Sequence, residues 1–89
     1  MEVPSWPTGH VSFDGKIFEF GAGELQRVPI ENLTKIEVKP PKLGRFNLRF
    51  EYDAGLDHNK TGAWIEEQHE AELNELVAAV QGAIVGRSA

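Results

Sequence analysis

The chain has 89 residues, a net charge of −5, 40% hydrophobic and 26% charged residues, and no cysteine. Its length sets one domain with a modest core. The missing cysteine excludes disulfides, thiol nucleophiles and cysteine-ligated zinc. No apolar run approaches the ~18 residues of a membrane span, and the opening MEVPSWPTGH lacks the basic start and apolar stretch of a signal peptide, so a cytoplasmic setting is the expectation.

Residues 1–9 hold Pro4, Pro7 and Gly9 around Trp6. Proline removes backbone donors and fixes φ, so they read as an extended arm tied down by Trp6. Val11 and Phe13 then alternate with Ser12, and Asp14-Gly15 is a two-residue hairpin signal. Phe18 and Phe20 share a face before Gly21-Ala22-Gly23 breaks the run. A short strand is expected from Leu25 to Ile30, at an edge because Pro29 cannot donate to a ladder.

Thr34, Ile36 and Val38 lie on one face of the next strand, which Pro40-Pro41 should stop. The clearest strand runs from Arg45 to about Asp53, with Phe46, Leu48, Phe50 and Tyr52 inward and Arg45, Asn47, Arg49 and Glu51 outward. Residues 54–62 read as a polar loop, and Ala63-Trp64-Ile65 as a short last strand. From about Glu66 the period becomes helical. Leu73, Leu76, Val77, Val80 and Ile84 form one stripe, and Gly86 is placed to end the helix. Strands followed by one amphipathic helix give an α+β fold.

Val11-Ser12-Phe13-Asp14-Gly15, Val28-Pro29-Ile30 with Leu33 and Ile36, Lys39-Pro40, and Gly44-Arg45-Phe46 opening a long strand before a C-terminal helix form a recognisable series. Over residues 10–86 the chain resembles the bacterial, actinobacterial-type pleckstrin-homology-like domains. The resemblance implies a small bent antiparallel sheet or partly open barrel of about six or seven strands, capped by the helix. It leaves residues 1–9 as the arm and 87–89 as a tail. The chain departs from the wider family in a short stretch between Phe20 and Val28. It also has only Asp14-Gly15, with Lys16 beside it, where phosphoinositide-binding members carry a longer basic loop.

Charge is unevenly spread. Residues 27–49 carry six cations against two carboxylates, while residues 1–26 carry one against four and residues 50–89 two against eight. If the two middle strands form a hairpin centred on Lys42, Lys35 opposes Arg49 and Lys39 opposes Arg45. Like charges across a ladder are destabilising, and such a face can be tolerated to hold an anion. Lys35, Lys39, Lys42, Arg45 and Arg49 are therefore the candidate anion-binding residues.

Other sites read as ordinary structure. Asp57, Asn59, Thr61 and Gly62 match the start of an EF-hand loop, but Gln68 stands where the bidentate carboxylate belongs. His10, His58 and His69 share no metal-ligand spacing, so neither metal nor cofactor is expected. Ser5, Ser12 and Ser88 lack a nucleophile-elbow context, and Glu66-Glu67 point to different sides of a helix, so no enzyme is expected. The aromatic residues alternate away from the cations, unlike a nucleic-acid platform. The expected function is a non-catalytic binding or scaffolding module for a protein or peptide partner. The alternative is a peripheral anionic-membrane or phosphate-ligand binder using the basic face, and the third reading is self-association into a homo-oligomer.

Overall fold

The computed structural model describes residues 1–87; Ser88 and Ala89, part of the expected tail, lie outside the described residues. The fold is α+β: two antiparallel sheets and one C-terminal helix. The first sheet takes its strands in chain order: β1 (Glu2–Ser5), β2 (Gly9–Phe13), β3 (Ile17–Ala22) and β4 (Glu24–Pro29). After a 3-10 turn at Ile30–Asn32, the second sheet holds β5 (Leu33–Lys42), β6 (Arg45–Ala54) and β7 (Asp57–Glu66). A 3-10 turn at Glu67–His69 leads into α1 (Glu70–Arg87).

The sheets do not close into a barrel. They meet at one isolated bridge, where the Trp6 amide donates to the Trp64 carbonyl at 2.7 Å. The next residue, Pro7, has no N–H, so it cannot extend that pairing as a donor. The expected arm is mostly strand: β1 pairs along β2, and Val3 is fully buried.

The β2–β3 turn sits one residue later than expected. Its central residues are Gly15 and Lys16, and only Gly15 has positive φ (101°). The Asp14 carboxylate accepts the Ile17 and Lys16 amides at 2.7 and 2.8 Å, which holds it below its ordinary pKa. The short Phe20–Val28 stretch loses no strand. It folds as a tight β3–β4 hairpin turning at Gly23, and β4 is the sheet edge, as Pro29 requires.

Pro40-Pro41 does not stop β5. That strand is an edge, and the prolines fall in a register irregularity between Lys39 and Lys42, where no ladder donor is needed. A second irregularity, between Leu33 and Lys35, turns Thr34 outward and puts Leu33 in the core instead. Residues 57–62 are strand rather than loop, because β7 pairs with all ten residues of β6 from Ala54 opposite Asp57 to Arg45 opposite Glu66. The EF-hand-like spacing therefore lies on a paired strand. Gly86 is helical and does not end α1.

The core lies between the sheets and α1. Phe18, Leu33, Leu48, Phe50 and Ile65 meet Leu73, Leu76, Val77 and Val80 from the helix stripe, and Ile84 packs against them at its margin. Phe50 sits edge-on to Phe18 and Phe20, at 4.9 and 4.6 Å between ring centres. The Gln81 amide donates to the Ile36 carbonyl and ties α1 to the edge strand β5. Among the described residues no helix is long and apolar enough to cross a membrane.

Candidate binding site

The β5–β6 register decides what becomes of the basic face. Lys42 opposes Arg45, which makes Leu43-Gly44 the turn. Further along, Lys39 faces Asn47, Glu37 faces Arg49 and Lys35 faces Glu51. The two irregularities in β5 shift the pairing, so the like-charge ladder of Lys35 with Arg49 and Lys39 with Arg45 does not form. Two of the pairs bring opposite charges together instead, and only Lys42 with Arg45, beside the turn, keeps like charges opposed. Glu37 Oε1 lies 3.3 Å from Lys39 Nζ and 3.7 Å from Lys35 Nζ.

The five candidate cations consequently divide. Lys35, Lys39 and Arg49 line a cleft with Glu37, Glu51 and Lys60, four cations against two carboxylates. Lys42 and Arg45 line a different cleft of about 250 Å³ at the hairpin end, together with Trp6, Leu43 and Trp64.

This second cleft is the most distinctive surface of the molecule. Ile65 points into the core, so strand alternation turns Trp64 to the outer face, where it stands across from Asn47. Trp6 reaches the same place through its main-chain bond to Trp64. The Arg45 guanidinium lies over the Trp6 ring, 3.7 Å from its centre, a cation–π contact. The arm is docked as expected, yet both indoles stay open to solvent, Trp6 at 44% and Trp64 at 40% exposure.

Leu43 completes the cleft and is 86% exposed. Both turn residues have positive φ, 55° at Leu43 and 77° at Gly44, as a type I′ turn demands. Leucine pays a steric penalty there that glycine or asparagine largely avoids. A bulky apolar side chain thus sits in a strained backbone, almost fully in water, with little packing in return.

Sequence reasoning missed Trp6, Leu43, Trp64 and Lys60 as surface residues. Trp64 would have been found by running the alternation of β7 back through its polar half. Leu43 would have been found by reading Leu-Gly as an unfavourable filling of a two-residue turn.

The histidines occupy separate places. His10 Nε2 lies 3.0 Å from Glu19, which also pairs with Arg27 at 3.4 Å. His58, on β7, places Nδ1 2.7 Å from Asp53 and Nε2 2.9 Å from Glu51. Both ring nitrogens therefore face carboxylates, an arrangement that suits imidazolium, which donates from both. The Asp53 bond first and the Glu51 bond second raise the His58 pKa. The His58 bond in turn lowers that of Glu51. His69 lies 3.8 Å from Glu72. No group of three metal-ligating side chains is arranged to hold an ion among the described residues.

No protein-family model matches the chain, and no curated protein sequence does.

Proposed function

We propose that the chain is a non-catalytic binding module of the pleckstrin-homology-like kind, which recognises a protein or peptide partner in the tryptophan cleft. Four strands, then three, then a C-terminal helix over the core support the fold reading. The cleft carries the functional one. Two half-exposed indoles and an exposed leucine stand beside two cations on strand ends that the sheets hold fixed. Aromatic residues and arginine dominate the energetics of protein interfaces, and clustered exposed apolar surface marks such sites.

Panning a random-peptide display library against the domain tests this reading. Selected peptides should shift both indole N–H signals in amide NMR spectra and bind Trp64→Ala at least about tenfold more weakly. Peptides that bind Trp64→Ala equally well, or whose shifts map to the β4 edge, overturn it.

Leu43 at a hairpin tip between Lys42 and Arg45 favours a second reading, contact with an anionic membrane. Each cation near such a surface contributes only about 1 kcal/mol. The two at the hairpin tip make a weak contact, and Lys35, Lys39, Arg49 and Lys60 stand in a separate cleft where Glu37 and Glu51 offset only part of their charge. Titration with anionic bicelles at low and moderate salt separates the readings, since a charge-driven contact fades with screening.

A further inference from the structure

We propose that the partner of the tryptophan cleft is a second copy of this chain, whose β6–β7 turn docks head to tail. The proposal rests on the cleft being a binding surface. It starts from the opposite end of the same sheet. The β6–β7 turn has Gly55 at φ 64° and places Leu56 fully in solvent, between Asp53 and Asp57. Asp57 makes no side-chain hydrogen bond or ion pair among the described residues.

One pole is thus a basic, aromatic cleft and the other an acidic turn tipped by a leucine. Leu56 supplies an apolar plug that a two-tryptophan cleft can cover, and in the docked pair the unpaired Asp57 beside it faces Lys42 and Arg45 at the cleft, while Asp53 is held by His58. Glu66 stands across from Arg45 in the ladder, so the mouth is only modestly basic and Leu56 supplies most of the contact. The two poles are separated by the ten residues of β6, a span of about 33 Å, so no chain can fill its own cleft. A membrane would use one pole and leave the acidic leucine tip unexplained, whereas a second copy uses both. The two surfaces differ, so the contact is heterologous and each molecule added presents a fresh end.

The test is sedimentation velocity over a concentration series with three proteins. Wild type should gain mass with concentration and pass the dimer. Leu56→Ser, which spoils the tip, and Lys42→Glu/Leu43→Asn, which spoils the cleft, should each weaken self-association at least about tenfold. All three altered positions are exposed, so the fold is left intact. An equal mixture of the two variants should form dimers and stop there, because each keeps one sound end. A wild type that stays monomeric, one that halts at the dimer, or a mixture that stays monomeric overturns the proposal. If wild type is monomeric while selected peptides still shift both indole signals, self-docking fails and the cleft stands. If nothing shifts them, both fail. If only anionic bicelles shift them, the occupant is a membrane.

Discussion

Replacing Leu43 by asparagine should make the protein more stable. Leucine at φ 55° carries a left-handed penalty of about 1–2 kcal/mol. Asparagine tolerates that region and, before Gly44, completes the preferred Asn-Gly pair of a type I′ turn. Little burial is lost in exchange. Full burial of a leucine is worth roughly 1.5–3 kcal/mol, and a side chain 86% exposed realises only about a seventh of it, ~0.2–0.4 kcal/mol. The net gain is about 0.5–1.5 kcal/mol, and each kcal/mol raises the melting temperature of a domain this size by about 4–8 °C. Thermal melts followed by circular dichroism, in dilute protein so that association does not contribute, read it directly, and urea midpoints check it. An unchanged or lowered melting temperature would refute the reasoning, by showing that Leu43 is unstrained or earns its place by packing. Peptide binding at the cleft should weaken in the same variant, the pattern expected where a residue is kept for contact at the expense of stability.

Phe50→Ala removes the ring that sits edge-on to both Phe18 and Phe20, and should cost about 3–5 kcal/mol in urea unfolding. A loss below about 1 kcal/mol would mean that the core closes over the gap without penalty. A Cβ at Gly62 would lie 2.6 Å from the Leu48 carbonyl oxygen on the neighbouring strand, so Gly62→Ala should destabilise by about 1–3 kcal/mol. An unchanged urea midpoint would show that β6 and β7 can part freely there. His58→Gln should remove a pH-dependent share of stability. His58 has a raised pKa, so its contribution is full below about pH 6.5 and fades as pH rises through the folded value. Glu51 has a lowered pKa, so its share is present above its ordinary value of 4.5 and is lost as pH falls through the folded one. The gap in melting temperature between wild type and variant should therefore be widest between those limits; a gap that does not change with pH contradicts the pairing.

Much of the fold could be read from period alone. Phe46, Leu48, Phe50 and Tyr52 do face the core from β6, and Leu73 to Val80 do form the buried stripe of α1. Pattern failed where strands carry little apolar signal or lose step. The first half of β7 is Asp-His-Asn-Lys-Thr-Gly, which resembles loop in composition and is strand only because β6 offers a full ladder beside it. In β5 two irregularities move each cation relative to its partner, and no count of alternating residues reveals a bulge. The basic face therefore looked like one site and is two. The cleft itself joins Trp6, Leu43 and Trp64 across the two sheets, a nearness that only the tertiary fold creates.

All the buried side chains among the described residues are apolar. Oily surfaces are indifferent to direction, so such an interior rewards compactness without dictating which residue faces which. Alignment must then be imposed from the rim, by the Asp14 carboxylate gripping its own turn and by left-handed backbone at Gly23, Leu43-Gly44 and Gly55. The consequence is a division of labour within the chain. Interior positions should accept exchange among leucine, isoleucine, methionine and phenylalanine of matched volume, while the positive-φ glycines of the hairpin corners, Gly23, Gly44 and Gly55, should resist any added side chain. Mutational scanning along the chain should thus find two intolerant classes of different kind, loss of volume in the interior as at Phe50 and gain of a side chain at the corner glycines.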